Sequence, residues 1–443
     1  MSGCTFYSRA YPIKNDAASD NSPRPSLSLT DAQALAARTR VTHLYERWRA
    51  FASGIIETAG TTFLLLIAVK SFQADATSKA LIASGGSLGL LLSPLLVWMA
   101  GVYQWKTARA GCLLMLWGSL LFFATALLPA LPLLIFASTF GLAASTLIIP
   151  LVTQIYEDNY PKTVRGQLFS RTVVIRIAIA AIFSEVAGRY LVSNLGWQRV
   201  LLLCFGAAFA FAAYCFSRYP SAQSRLEYSS HPFRSFRYVK EDRLFRHTLI
   251  CWMLMGFANL MMIPMRVEFL ANEKHGIALG AGEIAFLTGV VPNMVRLLLS
   301  PAWGWLFDRV NFFTLRLCLN CGFALGIFSF FLSSDLTGLV FGAVVFGIST
   351  AGGDVAWSLW VTKFAPSSRV ADYMAVHTFL TGLRGLVAPL AAFQALNYLT
   401  VSQLGVISIV LIGLANIMLI PEIKFFPQRA TIDAVVEEAL DEK

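Results

Sequence analysis

The chain has 443 residues, 56% of them hydrophobic and 14% charged, with a formal net charge of +10 and a mean hydropathy of +0.63. Soluble globular chains carry about 25% charged residues, so this composition excludes an ordinary water-soluble domain and makes the membrane the solvent. The basic excess does not indicate nucleic acid, because Lys and Arg are dispersed over alternate loops rather than gathered in one patch.

In chain order, the first residues are rich in Ser, Pro, Asn and Asp and read as disordered to about residue 29. They lack an apolar core of the kind a cleaved signal peptide needs. Apolar stretches near twenty residues, each long enough to cross about 30 Å of hydrocarbon, then predict spans at 51–70, 80–101, 110–128, 132–155, 172–192, 199–217, 247–270, 284–306, 314–333, 337–362, 373–397 and 402–420. The fold class is all-α: twelve transmembrane helices in two six-helix bundles. The expected organisation is a tail over 1–50, a bundle over 51–217, a basic linker over 218–246, a second bundle over 247–420 and a tail over 421–443. Arg47, Arg49, Lys106, Arg109, Arg165, Arg234, Lys240, Arg309 and Lys363 all fall on one side of that topology. Positive loops stay inside, so both termini are expected in the cytoplasm, in a plasma or bacterial inner membrane.

The halves repeat. Leu90-Leu91-Leu92-Ser93-Pro94 recurs as Leu297-Leu298-Leu299-Ser300-Pro301, an offset of 207 residues that also relates Trp98 to Trp305 and Arg109 to Arg316. Phe140-Gly141 matches Phe346-Gly347 at 206. Duplicated halves with a site at their interface are how many secondary transporters are built.

The loop after the eighth span reads Gly304-Trp305-Leu306-Phe307-Asp308-Arg309. It resembles the first part of the GxxxDRxGRR loop motif of the major facilitator superfamily, over a chain whose similarity runs from about residue 50 to 420. Val310, Asn311, Phe312 and Phe313 replace the rest of the motif, and Gly101 stands where the first half should carry the aspartate. The resemblance implies alternating access and a conformational latch at Gly304, Asp308, Arg309, Arg316 and Arg109, with the first-half latch degraded. An arginine in the fourth span and the GxxxGP run of drug–proton antiporters are both missing, which argues against drug–proton antiport.

Ionisable residues at membrane depth are expensive and mark function. Arg296 and Arg384 fall deep in the eighth and eleventh spans, and Arg176 in the fifth. Guanidiniums match carboxylates bidentately, so an anionic substrate is expected there, with Asn259 and Asn293 beside it. The alternative is that Arg296 and Arg384 pair with Asp354 and Glu57. Those two carboxylates are the candidates for proton coupling. Glu185 and Arg189, four residues apart, are expected to neutralise one another, and Arg266 and Glu268 to sit at the interface. Cys318 and Cys321, three apart and without a second pair, read as small packing residues rather than a metal site.

The expected function is secondary transport of a small organic anion coupled to H+, with no cofactor or metal and no catalytic residue. The expected partners are substrate, H+ and lipid, without nucleic acid, and the expected state is a monomer. A neutral solute such as a sugar, or a sensor or scaffold that no longer transports, are the alternatives.

Overall fold

The computed structural model describes residues 29–441 apart from 162–163, 194, 221–232, 334 and 364–369. Most of the predicted disordered start and part of the predicted linker therefore lie outside the described residues.

Twelve long helices occur among the described residues. They are α1 (29–70), α2 (Ala76–Val102), α3 (Thr107–Leu127), α4 (131–159), α5 (Arg165–Ser193), α6 (Gln198–Ser217), α7 (Arg243–Ala271), α8 (281–309), α9 (Phe312–Phe331), α10 (Leu336–Leu359), α11 (Val370–Ala395) and α12 (Val401–Asp441). Hydrocarbon offers no partner for a backbone N–H or C=O, which forces each span to satisfy its own. Eleven of the twelve are long and apolar enough to cross a membrane. The exception is α5, whose apolar run is interrupted by Arg176, Glu185 and Arg189.

The connections stop and restart helices with short acidic or amide caps. Asp75 accepts from the Thr77 amide at 3.2 Å, Asp242 from Phe245 at 3.0 Å and Asn311 from Phe313 at 2.8 Å. Each satisfies an orphan donor of the following helix. Turns of π-helix interrupt α1 over Ala59–Phe63, α4 over Ala137–Gly141 and α8 over Phe286–Val290.

The helices pack as two groups. In the first half α1 packs on α5 and α6, α2 on α4, and α3 on α6. In the second half α7 packs on α11 and α12, and α10 on α8 and α9. The halves meet chiefly along α2 against α11 and α5 against α8. Small residues make the first seam: Gly382 lies on the backbone of Leu91 and Gly385 on the side chain of Ser87, so a Cβ at either would clash.

Two boundaries differ from expectation. Helix begins at Leu29, ahead of the span boundary at residue 51; in the sequence Thr30 offers a cap for a short helix over Asp31–Arg40, and here that segment runs on into the span and packs on the bundle through its own polar contacts. Thr39 Oγ1 donates to the Asn159 carbonyl at 2.7 Å, and Asn159 Nδ2 donates to Thr42 Oγ1 at 3.0 Å. At the other end, α12 continues past residue 420 to Asp441. Cys318 and Cys321 are exposed on α9 rather than packed inside, which corrects the sequence expectation.

Candidate functional site

The central feature is Arg296, which α8 carries into the space between the halves. Its Nη1 donates to Glu57 Oε1 of α1 at 2.5 Å, and its Nε to Asp354 Oδ2 of α10 at 2.6 Å. Asn293, one turn earlier, accepts from the same Nη1 at 3.4 Å. Within the first half, Arg176 of α5 reaches the second oxygen of Glu57 at 3.2 Å. The result is a chain of alternating charge, Arg176–Glu57–Arg296–Asp354, with two members from each half. Its ends remain accessible: the Arg176 side chain is 37% exposed and that of Asp354 44%. Two cations against two carboxylates make the set neutral. Each buried charge therefore has a partner, which such depth requires.

One of the two sequence alternatives for Arg296 is thus realised, that of an ion pair with both expected carboxylates. Arg384 is not part of it. Its guanidinium lies in the second half, where Nη1 donates to the Trp252 carbonyl at 2.5 Å and Nη2 contacts Thr381 Oγ1 at 3.3 Å. Gly256 on α7 leaves the room that this guanidinium fills. Asn259, also on α7, keeps its buried Oδ1 without a partner among the described residues.

The residues expected to form the loop latch are placed as follows. Arg316 is drawn away from the loop and buried over the Trp252 ring at 3.7 Å, because the apolar start of α9 carries it inward. Arg309 stacks on Trp305 at 4.2 Å. Arg109 is exposed near the start of α3, and Gly304 is open on α8. The side chain of Asp308 lies outside the described residues.

Two polar clusters escaped the sequence reading. At the end of the bundle away from the basic loops, Lys79 of α2 donates to Glu268 of α7 at 2.6 Å, with Asn272 Nδ2 at 2.8 Å on the same carboxylate. Glu268 is buried rather than interfacial, and so is Arg266, whose guanidinium lies 4.9 Å from the Phe346 ring. At the opposite end, buried Glu46 accepts from Arg49, Tyr156 and Tyr219 and so ties α1 to α4 and to the end of α6. The i, i+3 spacing of Glu46 and Arg49 was a visible signal; their tyrosine partners, more than a hundred residues away, were not. Glu185 and Arg189 pair as expected.

Contacts between the halves cluster at the end that carries Lys79. Gln394 of α11 donates to Thr77 of α2 at 3.0 Å, Thr62 of α1 meets Thr288 of α8 at 3.1 Å, and Gly188 of α5 packs on Ala285 of α8. That end is closed.

The sequence model of the Major Facilitator Superfamily matches residues 50–389. The chain belongs to that superfamily. No curated protein matches it in sequence. Solved structures share its fold at low identity. A variant of the nucleoside transporter NupG is 12% identical with a TM-score of 0.69, covering 87% of this chain and 99% of that one. A POT family transporter in complex with a thioalcohol-conjugated peptide is 13% identical with a TM-score of 0.65, covering 89% and 96%. A D-xylose–proton symporter is 13% identical with a TM-score of 0.60, covering 88% and 97%. This major facilitator protein is a multi-pass membrane transporter, not an enzyme.

Proposed function

We propose that this transporter moves a small organic anion together with H+ by alternating access. The observation that carries the proposal is the double engagement of Arg296, at 2.5 Å from Glu57 in one half and 2.6 Å from Asp354 in the other. Glu57 holds Nη1 of this guanidinium and Asp354 its Nε, so a substrate carboxylate competes with both for bidentate binding. Protonation of Glu57 or Asp354 removes one negative charge and frees an edge that the substrate carboxylate then takes. One proton and one monoanion together leave the network neutral, so their entry is favoured jointly and neither is favoured alone. Because Glu57 and Arg296 belong to different halves, protonation at Glu57 loosens a link across the interface, which ties loading to the rocking of the bundles. Arg176, Asn293 and Asn259 supply further donors and acceptors around the bound molecule.

In the conformation described, the Lys79 end is closed, and the basic-loop side is read as the open, cytoplasmic one. The protein is read as a monomer of the plasma or bacterial inner membrane, with both termini in the cytoplasm.

A second reading keeps Arg296 permanently paired and gives the cavity a neutral, hydroxylated solute. It is favoured by the unpartnered Asn259 Oδ1, an acceptor suited to a hydroxyl. The test is uptake by reconstituted proteoliposomes under an inward proton gradient, with panels of labelled mono- and dicarboxylates and of neutral sugars. Accumulation of a carboxylate that collapses with a protonophore supports anion–proton symport. Accumulation of sugars alone assigns the second reading. Binding without flux assigns a sensor.

A further inference from the structure

The second half contains two buried arginines for which the transport reading has no use. Arg316 of α9 is 2% exposed and Arg384 of α11 is 5% exposed. Both stand against the same indole: their guanidinium carbons lie 3.7 Å and 5.8 Å from the centre of the Trp252 ring. Among the described residues neither forms an ion pair. Arg316 has the Met255 sulfur at 3.3 Å, a weak acceptor, and Arg384 has the Trp252 carbonyl and Thr381.

This arrangement is short of negative charge. Arginine stays protonated at any physiological pH. Bringing each such cation out of water costs more than a cation–π contact returns. The surrounding groups add donors. Trp252 Nε1 and Arg384 Nε are buried N–H groups without a hydrogen-bond partner among the described residues. His377 packs 5.0 Å from Trp252, centre to centre, and its buried Nε2 is likewise unpartnered. Unpartnered N–H groups of Trp252 and Arg384, beside two uncompensated cations, suit an acceptor that carries charge.

We propose that Arg316, Arg384, Trp252 and His377 form a binding site for a small monovalent anion, a halide or a carboxylate, within the second half. The site is separate from the Arg296 network, whose charges already balance, and it does not depend on the substrate reading. The anion completes the packing of α7, α9 and α11, so occupancy stabilises that half.

The test uses full-length purified protein in detergent, first in sodium sulfate and then with sodium chloride or sodium acetate substituted at constant ionic strength. The expected result is a saturable rise in Tm with chloride, acetate or both; the ion that acts identifies the source of the charge. Arg316→Met and Arg384→Met should abolish the response, whereas Arg296→Gln should retain it, which separates this site from the transport network. Should the Met variants fail to fold, bromide soaked into crystals of the wild-type protein gives a direct reading, with an anomalous peak expected within hydrogen-bond distance of both guanidiniums. A wild-type Tm that is indifferent to both chloride and acetate, together with no bromide peak at these residues, overturns the proposal. So does an anion response that disappears with Arg296→Gln but persists with Arg316→Met.

Discussion

Lys79 and Glu268 meet at 2.6 Å across the two halves, both buried, at the end of the molecule away from the basic loops. The bond joins α2 to α7 and stands beside the Gln394–Thr77 contact between α11 and α2. Under the alternating-access mechanism proposed above, this end opens and these bonds form and break once per cycle.

Replacing Lys79 with Met leaves the Glu268 carboxylate buried with Asn272 as its nearest donor. Loss of one partner of a buried pair costs about 3–5 kcal/mol, here charged to the closed state. The expected outcome is a population shift toward the state open at this end. Distances between spin labels placed on Thr77 and Gln394, measured by pulsed EPR, should lengthen in the variant. Unchanged distances would show that Lys79 does not hold the end closed.

The seam of α2 and α11 admits no added bulk at Gly382, which lies on the Leu91 backbone. Overpacking a close contact costs about 1–3 kcal/mol. Gly382→Val should lower Tm accordingly and reduce transport below what the lost stability accounts for, because the halves pivot along this seam. Transport at the wild-type rate in the folded variant would remove the seam from the mechanism.

Glu46 and Glu185 offer a contrast of two carboxylates. Glu46 is 1% exposed and holds Arg49 and two tyrosine hydroxyls, so Glu46→Ala should cost about 3–5 kcal/mol. Glu185 pairs only with Arg189, whose side chain is 80% exposed. Glu185→Ala should cost less, because its partner lies one turn along the same helix and its long side chain can reach toward the interface. Thermal unfolding of the two variants in detergent checks the ranking.

The acid limb of stability has one assignable contributor outside the spans. The Ser78 hydroxyl beside Asp75, and then the Thr77 amide, hold this carboxyl below its ordinary range. A lowered folded-state pKa means that the cap contributes above the ordinary value and is lost as pH falls through the lowered one. Wild-type Tm should therefore fall relative to Asp75→Asn on acidification below the ordinary carboxylate range. Parallel Tm–pH curves for the two proteins would contradict this.

Apolar length made twelve spans legible from sequence, each of which coincides with a long helix, and the repeat around Pro94 and Pro301 made the pairing of halves legible. Helix α5 was the least apolar because Arg176, Glu185 and Arg189 interrupt it, yet those charges also marked the site. The identity of the charged site residues was readable because hydrocarbon penalises every unpaired ion. Their partners were not. Glu57 finds Arg296 across 239 positions and Lys79 finds Glu268 across 189, distances over which periodicity carries no information. Two residues with the same residue type and similar depth, Arg296 and Arg384, took different environments because only the first has carboxylates on facing helices. Arg316 moved from an expected loop latch to a buried ring contact for a related reason: it follows apolar residues that draw the start of α9 inward.

The account rests on Glu57 and Asp354 as the proton-linked partners of Arg296, and separating exchange from accumulation tests it most directly. In proteoliposomes loaded with the transported carboxylate, Glu57→Gln and Asp354→Asn should be compared with wild type in equilibrium exchange and in uptake driven by a proton gradient. The prediction is that at least one variant retains exchange and loses gradient-driven accumulation, because a neutral amide already leaves an edge of Arg296 free and can no longer carry a proton. Gradient-driven accumulation at wild-type levels in both variants would contradict the assignment.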